Sequence, residues 1–254
     1  MVFEKNGTFE IDLKDIVNDG NFCIKEGTEL VLDIKNFAKE NSYNFFVNNN
    51  AKLVVRVIND GVEKSFSFHG CLGENSSLNI YFADLSKVNT KINSHIILEG
   101  NYSKSIFKIS SVANKGIFKD YHINFDHLGE HTDSLLEGYG VSLKDGEIDI
   151  KGISHIEVNS IKSKAIQKAK VILFDKESKA KASPTLRIDC DDIQATHACA
   201  IGNLNQDHIF YLESRGLSED ESRNLITYGY LMPIQEYFDE NGKKLINDYV
   251  KENF

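Results

Sequence analysis

The chain has no tryptophan, two prolines, two methionines and four cysteines among 254 residues. Each shortage excludes something. The cysteines (Cys23, Cys71, Cys190 and Cys199) lie far apart, with no CxxC pair. That spacing argues against a disulfide-stapled secreted domain and against a structural zinc site. A reducing cytoplasm is the expected compartment. Basic charge is also short: 29 Lys and Arg stand against 38 Asp and Glu, for a net charge of -9. A nucleic-acid partner needs the opposite balance, because Lys and Arg make the phosphate contacts. No apolar run approaches the ~18 residues of a membrane span. The opening stretch from Met1 to Asp15 is charged throughout, unlike a secretory leader with basic, apolar and small-residue parts. The sequence contains no P-loop, no GxGxxG with a following acidic residue and no GxSxG, so nucleotide hydrolysis is expected of a partner and not of this chain.

What is present is a 41% hydrophobic content whose aromatic part is all Phe and Tyr, enough for a substantial core. From Thr8 to about Gly202 the chain reads as successive short strands, for example Thr8–Leu13, Lys52–Val57, Ser77–Phe82 and Lys170–Phe174. Each is rich in β-branched or aromatic residues. Asn48-Asn49-Asn50, Asn59-Asp60-Gly61, Glu99-Gly100-Asn101 and Lys144-Asp145-Gly146 separate them with turn chemistry. A β-sandwich and a β-solenoid both give this pattern. Strand after strand with no helical interval leans towards a solenoid, although no clean repeat period is visible.

After Gly202 the period changes. Asn205 is a good N-cap and Gly216 a good C′ residue for a helix between them. Ser218 and Glu221 form a capping box for a second helix with an acidic first turn, ending at Tyr228-Gly229. A third helix is expected from about Met232-Pro233, where Ile234, Tyr237 and Phe238 share a face. The expected division is a β core over residues 1–203 and a small helical domain over 204–254.

One block joins the two parts. Ala182-Ser183-Pro184-Thr185-Leu186-Arg187-Ile188 leads into Asp191-Asp192-Ile193-Gln194-Ala195-Thr196-His197; Gly202, Leu204, Ile209 to Ser218, Leu225-Ile226 and Gly229-Tyr230 follow. This ordered block resembles the C-terminal signature of the SufB/SufD family of iron–sulfur cluster assembly proteins. There a P-x-L-x-I strand precedes D-D-V-x-x-x-H-G-A-T, a helix ending in F-Y-x-x-S-R-G and an acidic helix. Upstream, Asp145-Gly146, Lys151 to Ser154 and Lys170 to Phe174 are similar more loosely. Before about residue 120 only the β-rich character agrees.

The resemblance implies a mainly β protein, a right-handed parallel β-helix with a small C-terminal α-helical domain. It implies a non-catalytic scaffold that pairs through its β-helix, as a heterodimer or homodimer, with a SufB-like scaffold. A SufC-like ATPase would bind the helical domain, for which Phe210, Tyr211, Arg215, Gly216, Tyr230 and Ile234 are the candidate contacts. No cofactor would be held stably; an iron–sulfur cluster would form transiently at the SufB junction. Longer members carry an N-terminal helical domain that this sequence is expected to lack. Where SufB-type members have a sulfur-accepting cysteine, this sequence has Lys168, which places it on the SufD side. The family histidine is His197, a candidate cluster or metal ligand. His197-Ala198-Cys199-Ala200 departs from H-G-A-T and puts a thiol where a small residue is usual.

Strand alternation puts Ile193, Ala195, His197, Cys199 and Ile201 on one face, the expected buried or junction face. Imidazole is a borderline ligand for iron and thiolate is its standard one, but a core histidine and an inert buried cysteine are the plainer alternatives. His127 and His131, with Asp126, Glu130 and Asp133, resemble a metal cluster on paper; Gly129 interrupts them, and a surface turn is the expected account. The seven lysines from Lys162 to Lys181 are expected on a solvated side or against an acidic partner. Three other readings stay open. One is a self-sufficient SufB-like homodimer using Cys199 or Cys190. Another is a carbohydrate-active β-helix enzyme, which would leave the helical tail unexplained. The third is a purely structural solenoid, which leaves the C-terminal block without a reason.

Overall fold

The computed structural model describes residues 1–12, 20–35, 40–59, 61 and 64–253. Leu13, Asp60 and Phe254, which figure in the readings above, lie outside them. Among the described residues the strands form two parallel sheets of eight. The odd-numbered sheet holds β1 (Val2–Phe3), β3 (Gly20–Ile24), β5 (Glu40–Val47), β7 (Lys64–Leu72), β9 (Thr90–Leu98), β11 (Phe118–His127), β13 (Glu147–Ile156) and β15 (Lys179–Ile188). The even-numbered sheet holds β2 (Gly7–Asp12), β4 (Glu29–Lys35), β6 (Lys52–Asn59), β8 (Ser77–Asp84), β10 (Lys104–Asn114), β12 (Asp133–Leu143), β14 (Lys164–Leu173) and β16 (Gln194–Asn203). The chain alternates between the sheets, one strand in each per coil. This is a parallel β-solenoid.

Side-chain alternation builds its core. In β6, Leu53, Val55 and Val57 are buried while Lys52 is exposed and Val54 and Arg56 are half-buried, the period of two that a strand imposes. In-register coils stack like residues. Phe22 lies 5.4 Å from its register partner Phe45, and Tyr43 5.8 Å from its partner Phe68, ring centroid to ring centroid. The coils are not equal. Leu30, Leu53, Leu78, Ser105, Ser134 and Ala165 stack in one column, so a coil lengthens from 23 residues between Leu30 and Leu53 to 31 between Ser134 and Ala165.

One corner repeats in five successive coils. Asn50, Asn75, Tyr102, His131 and Lys162 all have φ between 51° and 59°. The backbone N–H of each donates to the next coil, to the carbonyls of Glu74, Asn101, Glu130, Ile161 and Asp192. The left-handed residue turns the chain while its N–H stays paired. Beside this corner the coils touch: a Cβ on Gly100 would fall within the Gly73 and Glu74 backbone, so only glycine fits.

A second corner is polar and dry. Lys119 and Asp84 are fully buried, with Nζ 3.0 Å from Asp84 Oδ1. The ammonium also donates to Ser86 Oγ (2.7 Å), Thr90 Oγ1 (3.1 Å) and the carbonyls of Ser86 (2.9 Å) and Val88 (2.8 Å). Tyr121 OH donates to Asp84 Oδ2 at 2.7 Å. Burial pulls the Lys119 pKa down, and Asp84 opposes it.

The tail begins where the even sheet ends. Helix α1 (Gln206–Ser214) is capped by Asn205, and Gly216 follows it at φ +96°. Helix α2 (Glu219–Leu231) starts with the Ser218–Glu221 capping box. It continues through Gly229 instead of ending there. The segment Met232–Tyr237 is a 3-10 turn with Pro233 in its first positions, not a third α-helix. That helix is α3 (Glu240–Asn253), capped by Asp239 Oδ1, which accepts from Gly242 N–H at 2.8 Å. Asn241 and Gly242 in its first turn hide it from the propensity pattern. The tail docks on the outer face of the even sheet. Leu204, Ile209, Leu231, Met232, Ile234 and Phe238 share a core with Tyr81, Val112, Val141 and Ile172. Tyr237 stacks on Tyr81 at 4.1 Å, and its hydroxyl accepts from Lys108 Nζ at 2.7 Å.

Candidate functional site at the open coil end

Strands β15 and β16 close the solenoid, each paired on one side. Ala195, His197, Cys199 and Ile201 of β16 lie in register with Ala165, Gln167, Ala169 and Val171 of β14. Those β14 partners are all buried. In-register residues of a parallel pair share a face, so the β16 set points inward, as alternation implies. It is not buried, however. Among the described residues no further coil covers it: His197 and Cys199 are exposed, and Ile201 is 42% exposed. The neighbouring Ile188 of β15 is 38% exposed. The end of the molecule is thus a core cut open.

Gln167 lies under His197 and carried no signal in the sequence beyond its place on the strand. Its Nε2 donates to Ser154 Oγ at 2.8 Å and to the Thr185 carbonyl at 3.1 Å, while its buried Oε1 has no partner. Partial burial raises the Cys199 thiol, against a hydrogen bond to the Ala169 backbone that lowers it. Cys190 is buried beside Ile156, Ala165, Leu186 and Ile193, the surroundings of an inert thiol. Among the described residues, His197 and Cys199 belong to no group of three His, Cys, Asp or Glu side chains near enough to share an ion.

The remaining sequence candidates fall elsewhere. Lys168 points out of the solenoid, 3.7 Å from Glu137. Lys170 lies over the Tyr230 ring at 4.8 Å, and Lys181 pairs with Glu147 at 3.0 Å, so part of the basic stretch is engaged within the chain. His127 is no surface residue. It is fully buried, with Nδ1 2.7 Å from Thr132 Oγ1 and Nε2 2.8 Å from Ser134 Oγ. Burial pushes its pKa from 6.5 down to about 4, so the ring is neutral. His131 sits on the repeated corner, stacked on Tyr102 at 4.6 Å. The two histidines do not converge.

On the tail, Phe210 is 73% and Tyr211 56% exposed. Arg215 is exposed over the Tyr211 ring at 5.3 Å, and Gly216 is exposed beside it. Ile234 is buried in the core that docks the tail, and Tyr230 packs against that core beneath Lys170. The accessible part of the predicted contact set is therefore Phe210, Tyr211, Arg215 and Gly216. All four cysteines are free thiols, and no described helix is long and apolar enough to cross a membrane.

Stacked parallel coils, an end that exposes a histidine and a thiol, and a docked helical tail define a tailed parallel β-solenoid. The model of the SUF system FeS cluster assembly SufBD core domain matches residues 24–230, and the chain belongs to that family. It is similar to the iron–sulfur cluster assembly protein SufD of Bacillus subtilis (strain 168), 30% identical over 118 residues, covering 46% of this chain and 27% of the relative. The SufB protein of the same organism is 26% identical over 137 residues, 54% of this chain and 30% of the relative. A SufBD family protein of Mycobacterium leprae (strain TN) is also 26% identical over 137 residues, 54% of this chain and 16% of the relative. The chain thus matches less than a third of the length of each of these relatives.

Proposed function

We propose that this chain is a SufD-like, non-catalytic scaffold subunit for iron–sulfur cluster assembly in a reducing cytoplasm. The observation that carries this reading is the open coil end. It offers His197 and Cys199 on an exposed inward face and, among the described residues, supplies no third ligand. An exposed apolar strand end calls for a cover, and a second solenoid of similar section supplies one. A SufB-like partner bringing thiolates would complete a transient cluster site there, because imidazole and thiolate together suit iron. In the same reading the helical tail, residues 204–254, presents Phe210, Tyr211, Arg215 and Gly216 to a SufC-like ATPase. Aromatic and Arg side chains are the usual anchors of such contacts.

The test is anaerobic reconstitution with a SufB-like scaffold and its ATPase, following iron, sulfide and visible absorbance. His197→Ala should leave the complex assembled and sharply reduce cluster yield. A normal yield would make His197 a packing residue. The exposure of Cys199 favours one second reading, a self-sufficient homodimer in which this thiol is the ligand. Loss of cluster in Cys199→Ala, with no effect of His197→Ala, would select it.

A further inference from the structure

A second group of ligating side chains lies outside the solenoid, on the odd-numbered sheet. Asp126 of β11 and His155 of β13 are in register there, and Arg187 of β15 follows His155. The ladder continues past the strand ends. Glu157 N–H donates to the His127 carbonyl at 3.1 Å, and Asp189 N–H to the Ile156 carbonyl at 2.9 Å. Glu157 and Asp189 therefore sit side by side on neighbouring coils, each two residues beyond the His155–Arg187 pair. Their backbones are fixed before any ligand arrives.

The side chains converge on one ring. His155, with 13% of its side chain exposed, has Nε2 2.8 Å from Asp189 Oδ2 and Nδ1 3.5 Å from Glu157 Oε1 and 3.9 Å from Asp126 Oδ1. One ligating atom from each of His155, Glu157 and Asp189 lies within 4.8 Å of the other two. Bonds of about 2.1 Å hold ligand atoms at most about 4.2 Å apart, so the group closes on an ion at Nε2, beside Asp189, when Glu157 turns towards it from Nδ1. Asp126 Oδ2 is held by His95 Nε2 at 2.6 Å, which leaves Asp126 behind the ring as an outer partner. Three carboxylates thus surround one imidazole. The cation nearest in register, Arg187, is exposed and forms no ion pair among the described residues. The local charge favours a bound cation, and a nitrogen donor among oxygens favours a first-row transition metal over calcium or magnesium.

We propose that His155, Glu157 and Asp189 form a surface site for one divalent first-row transition-metal ion, with Asp126 and His95 orienting the His155 ring. The site faces away from the coil interior and uses neither His197 nor Cys199, so it stands independently of cluster assembly at the open end.

Cobalt(II) is the probe: the purified full chain is titrated and followed by visible absorption, with zinc as competitor. Wild type should take up one cobalt ion per chain. The Glu157→Gln/Asp189→Asn double variant, altered at one half-buried and one exposed position, should abolish that uptake. Asp126→Asn should weaken it about tenfold, the usual effect of losing an outer partner. His155→Ala should also abolish it, with circular dichroism showing that the fold is kept. The joint variant His197→Ala/Cys199→Ala should bind as wild type does. Wild-type binding weaker than millimolar, or unchanged uptake by the double carboxylate variant, overturns the proposal. Loss of the ion only in the His197→Ala/Cys199→Ala variant does so too.

Discussion

Acidification from about pH 7 to pH 4 should destabilise the solenoid through His127 in particular. The imidazole is buried between two hydroxyls, and Thr132 Oγ1 is itself 2.8 Å from Ser163 Oγ. A neutral ring donates through one nitrogen and accepts through the other. A protonated ring must donate through both, inside a dry corner. Burial therefore holds its folded pKa at about 4, against 6.5 for the free side chain. The unfolded chain takes up the proton at the higher pH, so it binds more protons throughout the interval between the two values. The contribution to stability is complete above pH 6.5 and is lost as the pH falls towards 4. The difference amounts to about 3 kcal/mol. Denaturant midpoints measured across this range on wild type and on His127→Gln isolate the effect, because carboxylates elsewhere act on both. The wild-type curve should fall more steeply by that amount, whatever the offset between the proteins. Parallel curves would refute the reasoning, as would a His127 ring resonance titrating near 6.5 in the folded protein.

Other perturbations test the corners and the tail. Gly100→Ala should remove more than about 2 kcal/mol, since the Gly73 and Glu74 backbone must move. Gly229→Ala, in a helix with open space around it, should gain about 0.5–1 kcal/mol; calorimetric melting separates the two, and equal melting points would contradict the corner packing. Lys119→Met should cost about 3–5 kcal/mol in guanidinium unfolding, because it strands the buried Asp84 carboxylate. A loss below about 1 kcal/mol would mean that water reaches this corner. Tyr237→Ala removes the stack on Tyr81 and the hydroxyl that Lys108 binds. It should loosen the tail by about 2 kcal/mol and speed tryptic cleavage at Arg215, Arg223, Lys243 and Lys244, and an unchanged cleavage map would contradict the docking described above.

Much of this was legible in the residues themselves. Short alternating runs such as Lys52–Val57 gave strands, and Asn205, Ser218 and Glu221 gave helix starts, because those signals act within a few residues. The repeat was not legible. Coils that grow from 23 to 31 residues keep stacking register in space while destroying it as a sequence period. The face of His197 followed from alternation, but its exposure depends on the missing next coil, which strand pattern cannot express. His127 looked like a turn residue beside Gly129. Its burial is set by Thr132, Ser134 and Ser163, the last from the following coil. Ile234 was expected among the partner contacts; the sheet it covers was not visible from the tail alone. The His155 group was invisible for a similar reason, since its members are brought together by pairing between β11, β13 and β15.

The lengthening of the coils also bears on how these molecules stack. A solenoid of constant section is a building block for fibres, because its two ends match and every copy can extend the last. Here the end formed by β15 and β16 follows coils of about 30 residues, while the early coils have 23. A narrow coil laid on the wide end would leave backbone groups of the longer one unpaired. Two wide ends match each other, and that pairing closes on itself with two-fold symmetry or a near copy of it. The taper thus works against an endless head-to-tail filament, and the pairing proposed at the end that carries His197 would be finite.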